Sequence, residues 1–126
     1  MSGNIVPMIH VPDVRATVAW YQSIGFHLAA ANEDCGAMDW ASMTFGDGRV
    51  MFSVAGRASD APRREVDLYV YCDDVDALRA QLDGRVEIVQ DLYDAFYGMR
   101  EFIVRDCNRF WITFGQQLPI RDEALP

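Results

Sequence analysis

Lysine is absent: all 11 basic residues are arginine, set against 19 acidic ones for a formal net charge of −8. Without a side-chain amine the chain has no Schiff-base nucleophile, no pyridoxal phosphate anchor and no lysine for a phosphate-binding loop. The acidic balance argues against nucleic acid, which needs a basic face to neutralise phosphates, and mildly attracts a cationic small molecule. Cysteines are few and odd in number, Cys35, Cys72 and Cys107, with no C-x-x-C pair. Neither a disulfide framework nor a zinc ribbon is expected, and the three read as reduced and mostly buried. No apolar run approaches the ~20 residues that cross a bilayer. A composition 51% hydrophobic and 24% charged is that of a soluble globular protein. Residues 1–10 lack a basic start, a long apolar stretch and a small-residue cleavage site, so a cytoplasmic location is the expectation. At 126 residues the chain has the size of one domain, and its halves are small for independent cores.

Within that length a pattern occurs twice. Ile5 to Val11 alternates with a strand period, placing Ile5, Ile9 and Val11 on one face and Val6, Met8 and His10 on the other. Asp13 is an N-cap candidate, Val14, Val18 and Tyr21 recur at helical spacing, and Gly25 marks a helix end. Phe26 to Ala31, Ala37 to Phe45 and Val50 to Val54 read as strands, the last two joined by a Gly46-Asp47-Gly48 hairpin signal. Ala55 to Arg64, with Gly56 and Pro62, reads as a linker. The pattern then restarts: Val66 to Cys72 alternates, Asp74 stands for Asp13 and Gly84 for Gly25, at an offset of 61 (66 − 5). Val75, Leu78 and Leu82 form a helical stripe, and Val86 to Val89, Met99 to Arg105 and Phe110 to Phe114 read as strands. Gly48 to Val54 matches Asn108 to Phe114 by residue class at an offset of 60 (108 − 48). The expectation is an α+β fold of two tandem βαβββ units, 5–54 and 65–115, with a linker over 55–64 and a tail over 116–126, together making a single domain over 1–126.

Each unit covers one sheet face with its helix and leaves the other open. The covered face collects Ile5, Ile9, Val11, Val66, Leu68, Val70, Cys72, Phe110, Ile112 and Phe114. The open face collects Val6, Met8, His10, Met51, Ser53, Asp67, Tyr69, Tyr71, Trp111 and Thr113, an aromatic, sulfur-bearing and polar mixture that suits a pocket lining better than a dry core.

Val11-Pro12-Asp13 with Ala19-Trp20-Tyr21 and Gly25-Phe26, then Tyr71 to Leu78, Tyr97 to Phe102, Arg105-Asp106 and Phe110 to Gly115, together resemble the vicinal oxygen chelate superfamily. That superfamily includes glyoxalase I, bleomycin resistance proteins, fosfomycin resistance enzymes and extradiol dioxygenases. The resemblance implies curved mixed sheets around a groove, often completed by a homodimer. It also implies metal-ligand positions at Val6, Ser53, Asp67 and Thr113, where only Asp67 is a suitable donor, since such metals need about three His, Glu or Gln side chains on one point. The sequence is similar to the metal-free, bleomycin-resistance-type members, which hold a flat cationic drug.

The candidate ligand-binding residues are therefore His10, Trp40, Met51, Asp67, Tyr69, Tyr71, Glu101 and Trp111, with no metal, no cofactor and no catalytic residue expected. His10 reads as a pocket-lining imidazole, or as a displaced ligand if the register slips. Asp67 meets either a ligand cation or an arginine such as Arg100 or Arg105. Tyr69, Tyr71 and Trp111 serve a planar ligand or a dimer interface. Trp40 lies in a segment without clean alternation, leaving its phase open. Glu101 points to the groove, toward a basic ligand or an internal arginine. The aromatic stretch Leu92 to Gly98 is a candidate lid. Ser53 and Thr113 lack a nearby His and acid for nucleophilic catalysis. The leading expectation is a homodimer sequestering a small aromatic or cationic compound. The alternatives are a lyase, isomerase or dioxygenase of the same fold with its metal ligands elsewhere, and a structural or regulatory dimer with a vestigial pocket.

Overall fold

A computed structural model describes residues 2–119; Met1 and residues 120–126 of the expected tail lie outside the described residues. The chain divides into two compact units with a boundary between Asp60 and Ala61, inside the expected linker. The first unit runs β1 (Met8–His10), α1 (Val14–Ser23), β2 (His27–Asp34), β3 (Ala37–Phe45) and β4 (Gly48–Ser53). The second runs β5 (Asp67–Tyr71), α2 (Val75–Leu82), β6 (Glu87–Asp94), β7 (Met99–Arg105) and β8 (Trp111–Gln117). Each unit builds one four-stranded sheet, ordered β1-β4-β3-β2 and β5-β8-β7-β6. The first strand pairs parallel with the last, and the other pairs are antiparallel, so both sheets are mixed and the fold is α+β as expected.

Local chemistry starts both helices in the same way. The Asp13 carboxylate accepts the Ala16 N–H at 3.0 Å, and the Asp74 carboxylate accepts the Ala77 N–H at 3.0 Å. Each cap answers one of the unpaired amides of a first turn and contributes ~1 kcal/mol. Gly25 and Gly84 follow the two helices at φ +107° and +74°. In unit one Val14, Val18 and Ala41 are buried, and the buried Tyr21 ring packs on Phe26 and Phe52. In unit two Val75 and Leu82 are buried along with Phe102, Val104, Ile112 and Phe114.

Several expectations are corrected. Ile5 precedes β1 and is 95% exposed, and Val66 precedes β5 and is exposed, because neither lies within a paired strand. Cys35 and Cys107 are exposed and Cys72 half-buried, so the cysteines are not mostly buried. Cys35 and Gly36, at φ +51° and +81°, make the two-residue turn between β2 and β3, the both-positive geometry that a tight hairpin prefers. β6 extends to Asp94, well past Val89, and β8 extends to Gln117.

The offset of the last strands also changes. Val11 N–H bonds the Ser53 carbonyl and Cys72 N–H bonds the Gly115 carbonyl, so Ser53 corresponds to Gly115 at an offset of 62 (115 − 53). A two-residue slip from the expected 60 preserves which side chains share a face. The first strands keep the offset of 61 (71 − 10), and the one further residue in the last strands comes from the hairpins. Gly46-Asp47 suffices between β3 and β4, whereas Asp106 and Phe110 close a three-residue loop whose last member, Arg109, takes φ +72°, as three-residue hairpins do.

Candidate functional site

The register assembles two polar faces, one in each unit. In unit one His10 pairs with Ser53 and Ser53 with Trp40, while Met8 pairs with Met51 and Met51 with Ser42. This fixes the phase of Trp40 and brings it onto one face with His10 and Met51. A carbonyl only accepts, so the His10 Nδ1 contact to Val54 O at 3.0 Å places a proton on Nδ1. In unit two Asp67, Trp111 and Arg105 form one row, Tyr69, Thr113 and Ile103 the next, and Tyr71, Gly115 and Glu101 a third, with Tyr93 opposite Glu101.

Glu101 is the centre of the second face. Its residue is 1% exposed, and three phenols converge on its carboxylate. Tyr69 Oη donates to Oε2 at 2.6 Å, Tyr97 Oη sits 2.7 Å from both oxygens, and Tyr93 Oη donates to Oε1. None of the ion pairs among the described residues reaches Glu101, which corrects the expected alternative of an internal arginine. Arg100 instead pairs with Asp76 and Asp94, and Arg105 with Glu87. Burial pushes the Glu101 carboxyl up, but the three hydroxyl bonds outweigh it and hold the group below its ordinary value. The phenols respond in the opposite sense. Burial and the Glu101 bond raise Tyr69, and the bond followed by burial raises Tyr93 and Tyr97.

Gly115 makes this convergence possible. A Cβ there would lie 2.1 Å from Tyr69 Oη and 2.7 Å from its Cζ, so the ring crosses the strand where a side chain is missing. Tyr69 and Tyr71 stand 4.9 Å apart, centroid to centroid, and are 41% and 75% exposed. Tyr93 and Tyr97 were not among the expected site residues. Their signal was the aromatic excess of Leu92 to Gly98, a segment that forms the end of β6 and a hairpin turn. Phe96 at its tip is 99% exposed. Beside it a half-open hollow of about 670 Å³ is lined by Asp94 to Gly98 and Gln117 to Pro119.

The other end of this face is occupied. Asp67 pairs with Arg63, not with Arg100 or Arg105 as expected, and the Arg63 guanidinium lies 4.1 Å over the Trp111 ring. The segment carrying it is strapped down: Arg109 Nε donates to Ala61 O at 2.5 Å, Arg105 Nε to Pro62 O at 3.0 Å and Trp111 Nε1 to Pro62 O at 3.2 Å. Arg64 donates to Asn108 O at 3.0 Å. Of the four expected metal-ligand positions, Ser53 and Thr113 are not equivalent in register, and Asp67 is engaged by Arg63. Among the described residues no group of three or more His, Cys, Asp or Glu side chains is placed to hold a metal ion. No described helix is long and apolar enough to cross a membrane.

The family model for the Glyoxalase/Bleomycin resistance protein/Dioxygenase superfamily matches residues 5–114. No curated protein matches the sequence. Among solved structures, TioX from Micromonospora sp. ML1 aligns with a TM-score of 0.73 at 22% identity, over 94% of this chain and 99% of its own. The bleomycin-binding protein from bleomycin-producing Streptomyces verticillus, complexed with copper(II)-bleomycin, aligns with a TM-score of 0.70 at 22% identity, over 95% and 98%. A glyoxalase-related enzyme from Clostridium phytofermentans aligns with a TM-score of 0.72 at 18% identity, over 94% and 97%. At these identities the likeness is one of fold.

Proposed function

The chain belongs to the Glyoxalase/Bleomycin resistance protein/Dioxygenase superfamily, and from that premise we propose that it binds a small aromatic or cationic compound without a resident metal. The observation that carries this reading is the Glu101 cluster: a buried carboxylate, paired with no cation among the described residues, beneath the partly exposed rings of Tyr69 and Tyr97. All three hydroxyls bond to the carboxylate, so the rings lie beside a buried negative charge. A cation resting there gains the quadrupole attraction of the rings and the field of Glu101, worth ~0.5–2 kcal/mol per ring contact depending on desolvation. His10, Trp40, Met51, Asp67, Tyr71 and Trp111 complete the ligand-binding set in this reading. Drug binding of the bleomycin type is supported by the fold and by the S. verticillus neighbour.

The test is thermal and calorimetric titration with benzyltrimethylammonium, metal-free bleomycin and copper(II)-bleomycin. A ligand at 100 times its Kd stabilises the native state by ~2.7 kcal/mol. Glu101→Gln is expected to weaken the cationic probes about tenfold or more, and a wild-type protein whose melting none of the three moves would end the proposal. Metal analysis after purification without chelator addresses the lyase, isomerase or dioxygenase alternative, which one tightly held Ni, Zn, Fe or Mn per chain would restore.

The reading includes a cytoplasmic location and a homodimer, and the homodimer is supported by the exposed Met8, Tyr69, Tyr71 and Phe96, which a second copy would cover. Sedimentation at micromolar concentration is expected to give about twice the 14.3 kDa of one chain.

A further inference from the structure

The structure already contains a planar cation bound to the second face, and it is the chain's own. The Arg63 guanidinium engages Asp67 through Nε to Oδ1 at 3.3 Å and through Nη2 to Oδ2, while its Cζ stacks 4.1 Å over Trp111. A carboxylate fork beside an indole plane is the arrangement that recognises guanidinium-like groups. The chain around Arg63 is fastened by other bonds, at the Ala61 and Pro62 carbonyls and through the Arg64 side chain. The Arg63 side chain, 54% exposed, can therefore swing away while the strap stays in place. Its hold is weak, because solvent screens an exposed ion pair and an exposed stacked cation alike.

We propose that Asp67 and Trp111 form a subsite for a planar cation, a guanidinium or amidinium group of a ligand, which Arg63 fills in the free chain and surrenders on binding. The inference rests on the reading that this face binds a small cation, and adds where a planar one goes and what it displaces. An internal occupant lowers the apparent affinity by the fraction of chains whose subsite is open, so its removal raises affinity by the same factor.

Benzamidine is the probe, titrated while the indole N–H resonance of Trp111, whose bond to Pro62 O the strap maintains, is followed by NMR. Arg63→Ala is expected to bind benzamidine about tenfold more tightly than wild type, with the Trp111 resonance moving in step. Asp67→Asn placed on Arg63→Ala is expected to erase the gain. Equal or weaker binding by Arg63→Ala, a gain that survives Asp67→Asn, or a Trp111 resonance that stays still would overturn the subsite, and Arg63→Gln must reproduce whichever result is found. Benzyltrimethylammonium, non-planar at its charge and assigned to the Glu101 cluster, separates the two readings. If it binds and benzamidine shows no gain, the subsite alone fails; if benzamidine gains and it does not bind, the Glu101 reading alone fails.

Discussion

Equivalent rows of the two sheets, one in each unit, carry different chemistry. In the first unit the row reads His10, Ser53, Trp40 and Asn32; in the second it reads Tyr71, Gly115, Glu101 and Tyr93. Where unit one fills the position with a large indole beside a small hydroxyl, unit two places a carboxylate beside no side chain at all, and the vacant volume admits Tyr69. The buried sides compensate in size too. Tyr21 on α1 faces a sheet bearing Ala41, while the corresponding Leu82 on α2 faces one bearing Phe102, each residue being nearly or fully buried. Duplicated units thus conserve packed volume on the helix side and diverge on the other, because close packing penalises any net change inside whereas a half-exposed face tolerates it.

The largest expected effect tests the shared half of this comparison. Phe52→Ala and Phe114→Ala remove equivalent, fully buried rings, and each is expected to cost ~3–5 kcal/mol by denaturant unfolding. A loss under ~1 kcal/mol for either would break the equivalence of the two cores. Next comes the divergent half. Gly115→Ala must expel the Tyr69 ring and its bond to a charged acceptor, for a loss of ~1.5–3 kcal/mol, whereas Ser53→Ala at the matching position is expected to stay within ~0.5 kcal/mol. A double-mutant cycle with Tyr69→Ala is expected to show Gly115→Ala nearly silent once the ring is gone.

The pH dependence follows from the same cluster. Glu101 is held below its unfolded value of ~4.3, so its contribution is present above that pH and is lost as acid takes the pH down through its folded value. Tyr69, Tyr93 and Tyr97 are raised above ~10, so their contribution is whole below that pH and is lost as alkali carries it up through their folded values. Stability is expected to be flat between about pH 5 and 9.5 with respect to these groups. In a 295 nm titration three phenols are expected to ionise late, and Glu101→Gln is expected to bring them back toward ~10. A gain instead of a loss is expected at Ser42, whose hydroxyl is buried with no hydrogen-bond partner among the described residues, while unit two has Ile103 at the matching position. Ser42→Ala is expected to raise stability by ~1 kcal/mol.

What was legible in the sequence was whatever depends on neighbours a few residues apart. The Asp13 and Asp74 caps, the helical stripes and the bounds of β3 and β7 all follow from local period and turn chemistry. β6 escaped beyond Val89 because bulges between Ile88 and Gln90 and between Gln90 and Tyr93 break the two-residue alternation. Trp40 had no readable phase because Ala41, Ser42 and Met43 are all buried, so both faces of that stretch look alike. The convergence of Tyr69, Tyr93 and Tyr97 on Glu101 depends on a missing side chain at Gly115 and on a hairpin folding back, neither of which a linear pattern encodes. Arg63 lay in a segment with no period, so its claim on Asp67 had no signal.

The boundary between Asp60 and Ala61 has a kinetic meaning. Each sheet closes within its own stretch of chain, so the first unit owns all of its strand partners before the second has left the ribosome. The costly step inside each unit is the parallel pairing of its first and last strands, Met8 with Met51 and Asp67 with Trp111. Each closes a loop of about 43 residues (51 − 8), whereas the hairpins between need only two to four. Because closure entropy grows with loop length, the hairpins should form early and the first strand dock last, so a mutation in β1 or β5 is expected to speed unfolding more than it slows folding.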